Sequence, residues 1–143
     1  MEIEEDFNPE DFYKIAENIY NKLNTSTIPY KEAWIRTAIS RLYYSIFLYL
    51  RNMIGYKKYH KRDIHQIVSE ILIDKGGLFT KIGYKLSEIR EIRNTADYDT
   101  DKTVSLELLE HVITTVNDMF EKARKTKYFV LLKKNVVFAY RIS

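Results

Sequence analysis

The chain has 143 residues, a net charge of +3, and 45% hydrophobic and 30% charged residues, the profile of one globular domain rather than a disordered or fibrous chain. It has no cysteine, which excludes a disulfide framework, a thiolate nucleophile and a cysteine zinc site. The acidic start (Glu2, Glu4, Glu5, Asp6) is unlike a secretory leader, and the longest near-apolar run, Leu42 to Leu50, lies between Arg41 and Arg51 and falls far short of the roughly 20 residues of a membrane span, so a cytoplasmic protein without membrane contact is expected.

Asn8-Pro9-Glu10-Asp11 reads as a helix start: a capping side chain, proline at the first helical position, then two acids at the positive end of the dipole. Phe12, Ile15, Ala16, Ile19, Tyr20 and Leu23 follow on one helical face, and this helix ends by Asn24. The turn-forming Thr25-Ser26-Thr27-Ile28-Pro29 leads to a second helix over about Tyr30 to Ile54, stopped by Gly55. Trp34, Ile35, Ala38, Ile39, Leu42, Tyr43, Ile46, Phe47 and Leu50 cover more than one stripe of it, which makes it the central helix.

A basic loop, Gly55 to Arg62, precedes a short third helix that Asp63 is expected to cap and Gly76-Gly77 to close. The fourth helix is expected over Leu78 to Arg93 on Phe79, Ile82, Leu86, Ile89 and Ile92, with Arg93 to Tyr98 as the segment joining it to a fifth. The fifth runs from near Thr103 to near Lys125 on Leu108, Val112, Val116, Met119, Phe120 and Ala123. Beyond it, Tyr128 to Tyr140 is β-branched and aromatic around a Lys133-Lys134-Asn135 break, the pattern of a hairpin or an extended arm. The expected fold is all-α, an up-and-down bundle of four to five helices over residues 1–127, with a C-terminal β-hairpin or arm over 128–143.

Charge is unevenly placed. Ala33 to Arg62 holds Arg36, Arg41, Arg51, Lys57, Lys58, Lys61 and Arg62 with no acid, and the chain after Glu121 holds seven more basic residues with none. Such stretches make either a phosphate-attracting face or ordinary solvated surface. Arg90 and Arg93 stand one helical turn apart, so both guanidinium groups fall on one side and can fork onto an anion. The alternative is that Arg93 pairs with Asp97 or Glu88. Glu32, Arg36 and Ser40 follow at i, i+4, i+8 with Arg41 and Tyr44 nearby, either as an exposed helical pair or as groups facing Arg93 across a cleft. His60, His65 and His111 have no metal-ligand spacing, and no Gly-rich phosphate loop occurs, so neither metal nor cofactor is expected. His65 reads as a surface or half-buried residue.

The segments Ala38-Ile39-Ser40-Arg41-Leu42-Tyr43-Tyr44-Ser45-Ile46-Phe47 and Leu86 to Asp99, with its Arg93-Asn94-Thr95-Ala96-Asp97-Tyr98 core, resemble the HEPN (higher eukaryotes and prokaryotes nucleotide-binding) superfamily. The resemblance is to its small stand-alone prokaryotic members and covers about Asn8 to Lys125. It implies a homodimeric bundle that binds RNA or a nucleotide, a metal-independent ribonuclease in many members, and a toxin paired with a nucleotidyltransferase antitoxin. On that pattern Arg93, Asn94 and Tyr98 take the catalytic positions, and Arg90, Asp97, Arg36, Glu32 and Arg41 surround them. Tyr98 stands where the family's ribonucleases carry histidine. A tyrosine phenol ordinarily titrates near 10 and is a poor base at neutral pH. The competing reading is a non-catalytic helical dimer that holds a nucleotidyltransferase.

Overall fold

The computed structural model describes residues 6–142 of the chain, with side chains as far as Thr126. Five helices and no strand occur among these residues: α1 (Glu10–Thr25), α2 (Lys31–Met53), α3 (Ile64–Lys75), α4 (Leu78–Tyr98) and α5 (Leu106–Ile142). None of them is long and apolar enough to cross a membrane.

The starts of the helices follow from particular side chains. Asn8 Oδ1 accepts the Glu10 amide at 3.1 Å, satisfying one orphan donor of α1. Ser105 Oγ does the same for Leu108 at 3.1 Å, which is why α5 begins at Leu106 rather than near Thr103. Asp63 stands before α3 as expected, but its carboxylate does not cap the helix; it accepts the Tyr59 hydroxyl at 2.7 Å. Tyr30, before α2, has φ +61° and ψ +37°, a left-handed conformation costly for a bulky L-residue.

The second helix is the central one, packing against α1, α4 and α5 and touching α3. Ile35, Ala38, Ile39, Leu42, Tyr43, Ile46, Phe47 and Leu50 are buried on it, whereas Trp34, at its outer end, is 44% exposed. The α3–α4 pair is held close by Gly83: a Cβ there would lie 2.8 Å from Ile73 Cγ1, 2.9 Å from Ile73 N and 3.0 Å from Ser69 O. Leu86, Ile89 and Ala96 of α4 and Leu109, Val112, Val116, Met119 and Ala123 of α5 close the core.

Two expectations are corrected. The segment Arg93 to Tyr98 is not a connector but the last part of α4. Arg93 pairs with Asp97 one turn on, and Arg36 reaches across from α2 to the carbonyls of Thr95, which also accepts the Asp99 amide, and of Ala96 at the helix end. The stretch beyond Lys127 is likewise helical rather than a hairpin, α5 running on to Ile142. Adding residues to an existing helix avoids the nucleation cost, while a two-stranded hairpin is marginal in water by itself, and no strand among the described residues offers it a partner.

Candidate functional site

The middle of α2 and the second half of α4 bring the chemistry together. Arg93, only 6% exposed, lies with its guanidinium carbon 5.0 Å from the Tyr43 ring centre and 5.3 Å from that of Tyr44. Its Nη1 is 3.5 Å from Asp97 Oδ2, and the same carboxylate oxygen accepts the Ser40 hydroxyl at 3.3 Å. Arg41 comes in from the other side, over the rings of Phe12 (4.8 Å) and Tyr44 (5.3 Å), with Nη2 3.4 Å from Ser40 Oγ. Of the two partners expected for Arg93, it meets Asp97; Glu88 is taken by Lys85 and faces His111.

From α3, His65 enters the cluster. Its Nδ1 is 2.5 Å from the Tyr43 hydroxyl, and its ring is stacked on Phe47 at 4.2 Å. Burial, reinforced by Arg90 and Arg93, pushes the imidazole down to about 4, so it is neutral at pH 7. Burial raises the Tyr43 phenol above its ordinary value against the pull of the same two arginines. His65 is half-buried, as the sequence reading had it, but its place beside the arginines was not foreseen. The legible hint was that it opens a helix directly after a basic loop.

Electrostatically the cluster is unbalanced. Three guanidinium groups, Arg41, Arg90 and Arg93, stand against the single carboxylate Asp97. Arg90, half-buried, forms no ion pair among the described residues. The Nε atoms of Arg90 and Arg93 are both buried without a hydrogen-bond partner. Buried charge is ordinarily paired and fully hydrogen-bonded, so this arrangement carries more positive charge than its one carboxylate balances.

Not every residue singled out from the sequence joins it. Asn94 is half-buried beside Arg93, and Tyr98, the last residue of α4, is 71% exposed. Glu32 and Arg36 form a separate clip. Arg36 Nη1 donates to Thr95 O (3.1 Å) and Ala96 O (3.0 Å), and Nη2 to Asp99 O (3.0 Å), Lys102 O (2.5 Å) and Glu32 (3.2 Å). Glu32 Oε1 also accepts the Val104 amide at 3.0 Å, and that bond, followed by the one from Arg36, holds its carboxyl below the usual range. The guanidinium that was a candidate for facing Arg93 is spent on the α4–α5 connection. An open cleft of about 420 Å³ lies over the clip, lined by Glu32, Arg36, Ala96, Thr100 and Lys102 among others, and of the cluster only Asp97 reaches it.

A family model described as the HEPN domain matches residues 9–126. The chain belongs to the HEPN family. Two curated relatives come from Methanocaldococcus jannaschii. Uncharacterized protein MJ0628 is 29% identical over 143 aligned residues, covering 88% of this chain and 84% of the relative. Uncharacterized protein MJ0992 is 31% identical over 161, covering 92% and 86%. No solved structure matches. The HEPN match spans α1 to the middle of α5 and includes every residue of the cluster.

Proposed function

We propose that this HEPN protein binds a phosphate-bearing ligand, an RNA strand or a nucleotide, at the Arg90–Arg93 cluster, and that binding rather than cleavage is its activity there. The observation that carries this is the excess of cations, with Arg41, Arg90 and Arg93 gathered around the single carboxylate Asp97: a phosphate supplies the missing negative charge. Arg93 is enclosed and sets the field, Arg90 beside it is only half-buried, and the exposed Tyr98 offers a ring for base stacking. Cleavage by this family's chemistry calls for a base on the RNA 2′-hydroxyl, and a phenol at the histidine position serves that poorly.

The test is fluorescence anisotropy with labelled RNA oligonucleotides and nucleotides across a salt series, together with metal-free incubation to look for cut products. Binding that weakens with salt is expected, with Arg90→Gln losing roughly tenfold and Lys81→Gln, on the exposed side of α4, unchanged. Equal binding by Arg90→Gln and wild type, or no binding by either, overturns the reading.

A second reading, a homodimer that holds a nucleotidyltransferase as one half of a toxin–antitoxin pair, is favoured by Tyr84 and Tyr98. They lie fourteen residues apart on one face of α4 and are 62% and 71% exposed. Light scattering with and without Tyr84→Glu checks the dimer, and co-purification with a co-expressed nucleotidyltransferase checks the pairing.

A further inference from the structure

Resting on the phosphate-binding reading, we infer that His65 is a further ligand-binding residue, donating a neutral hydrogen bond from Nε2 to the phosphate, and that Tyr43 is the positioning residue that fixes its tautomer.

Tyr43 is fully buried and its hydroxyl has one partner, His65 Nδ1 at 2.5 Å. A buried hydroxyl that did not donate would leave an unsatisfied O–H, so Tyr43 donates and Nδ1 accepts. The neutral ring then carries its proton on Nε2. That atom has no hydrogen-bond partner among the described residues, and the buried side-chain polar atoms left without one are Arg90 Nε and Arg93 Nε. Nε2–H is therefore not sealed from solvent.

The rest of the surroundings agree. Phe47 stacks on the imidazole at 4.2 Å, and Tyr43 and Tyr44 hold it at 5.6 and 6.1 Å between ring centres, so the ring cannot turn freely. The charged groups that act on it are Arg90 and Arg93, both cations, and together with burial they oppose protonation, leaving the ring neutral at pH 7. Nothing here makes the imidazole a base toward the ligand: its lone pair is occupied by Tyr43, and the face it offers outward is a donor. Two arginines and one neutral N–H converge on the same anion. The charge they provide suits a phosphodiester or a nucleotide phosphate, and the same tautomer leaves bound RNA uncut.

The experiment is nitrogen-15 NMR of histidine-labelled wild-type protein, which reads the tautomer without any substitution. The Nε2–H form of His65 is expected at pH 7, with a shift of that resonance on adding an RNA oligonucleotide, a 5′-nucleotide or inorganic phosphate. In the binding assay, His65→Gln, which keeps a donor, is expected to hold most of the affinity. His65→Leu is expected to lose roughly tenfold, the worth of one hydrogen bond to a charged group. Tyr43→Phe is expected to give a mixed tautomer. An Nδ1–H tautomer in the wild type, or His65→Leu binding as tightly as wild type while Arg90→Gln does not, overturns the role of His65 and leaves the phosphate site standing. No binding of any of the three probes by wild type overturns both.

Discussion

Replacing Arg36 by alanine removes one side chain that ties α2 to the end of α4 and to the loop after it. Four main-chain carbonyls lose a charged donor. The three part-buried bonds, to Thr95, Ala96 and Asp99, are worth about 1 kcal/mol each, and the exposed one to Lys102 about 0.5 kcal/mol. The Glu32 pair adds little, since Glu32 is 46% exposed and such pairs are screened. The expected cost is about 3–4 kcal/mol, a substantial share of the roughly 5–15 kcal/mol that holds a domain of this size. Urea denaturation with a two-state fit measures it, and a fall in melting temperature of roughly 10 °C accompanies it. Hydrogen exchange adds a local signature: the amides of Val104, bonded to Glu32, and Asp99, bonded to Thr95 O, exchange early in the variant. Arg36→Lys recovers less than half, because one ammonium cannot fork onto four carbonyls. A loss below about 1 kcal/mol, with those amides still protected, would show that α4 keeps its last turns without the clip.

Gly83→Ala, a substitution that ordinarily helps a helix, is expected to destabilise by about 1–3 kcal/mol because the new methyl meets the main chain of Ile73 and Ser69; a neutral or stabilising result in the same urea experiment refutes the close α3–α4 approach. Tyr30→Asn keeps the left-handed turn with a residue that tolerates it, and since Tyr30 is 80% exposed little packing is lost; a gain of about 0.5–1 kcal/mol is expected, and a loss contradicts the strain argument. The imidazole of His65 is harder to protonate folded (about 4) than unfolded (about 6.5). The unfolded chain therefore binds the extra proton in that window, and stability falls as pH drops from about 6.5 toward 4, by at most about 1.4 kcal/mol per pH unit. In His65→Gln that part of the slope is expected to vanish, and an unchanged slope assigns it to other groups.

Five helices, the central position of α2 and most of the core were readable from spacing, because an apolar residue every three or four positions serves a helix and little else. Glu10 was placed at a helix start by Asn8 and Pro9, and the structure has it there. The end of α4 was misjudged, since nothing local marks Arg93 to Tyr98 as helix: its last carbonyls are satisfied by Arg36, some 60 residues away in sequence. The tail failed for a related reason. Its β-branched residues have a preference that only a neighbouring strand could realise, and a helix was already running into it.

At the site the division is the same. The sequence by itself determined the chemical types present: two arginines on one side of a helix, an aspartate one turn on, and a tyrosine directly after it. Which of them act together was decided only by the tertiary structure. Packing α2 against α4 set Arg93 on Tyr43 and Tyr44 and diverted Arg36 to main-chain carbonyls. Packing α3 beside them delivered a histidine that no local pattern connects to an arginine 28 positions further on. Helical periodicity is a property of neighbours within one turn or two, whereas a cluster of partly buried cations exists only once distant helices have excluded water from around it.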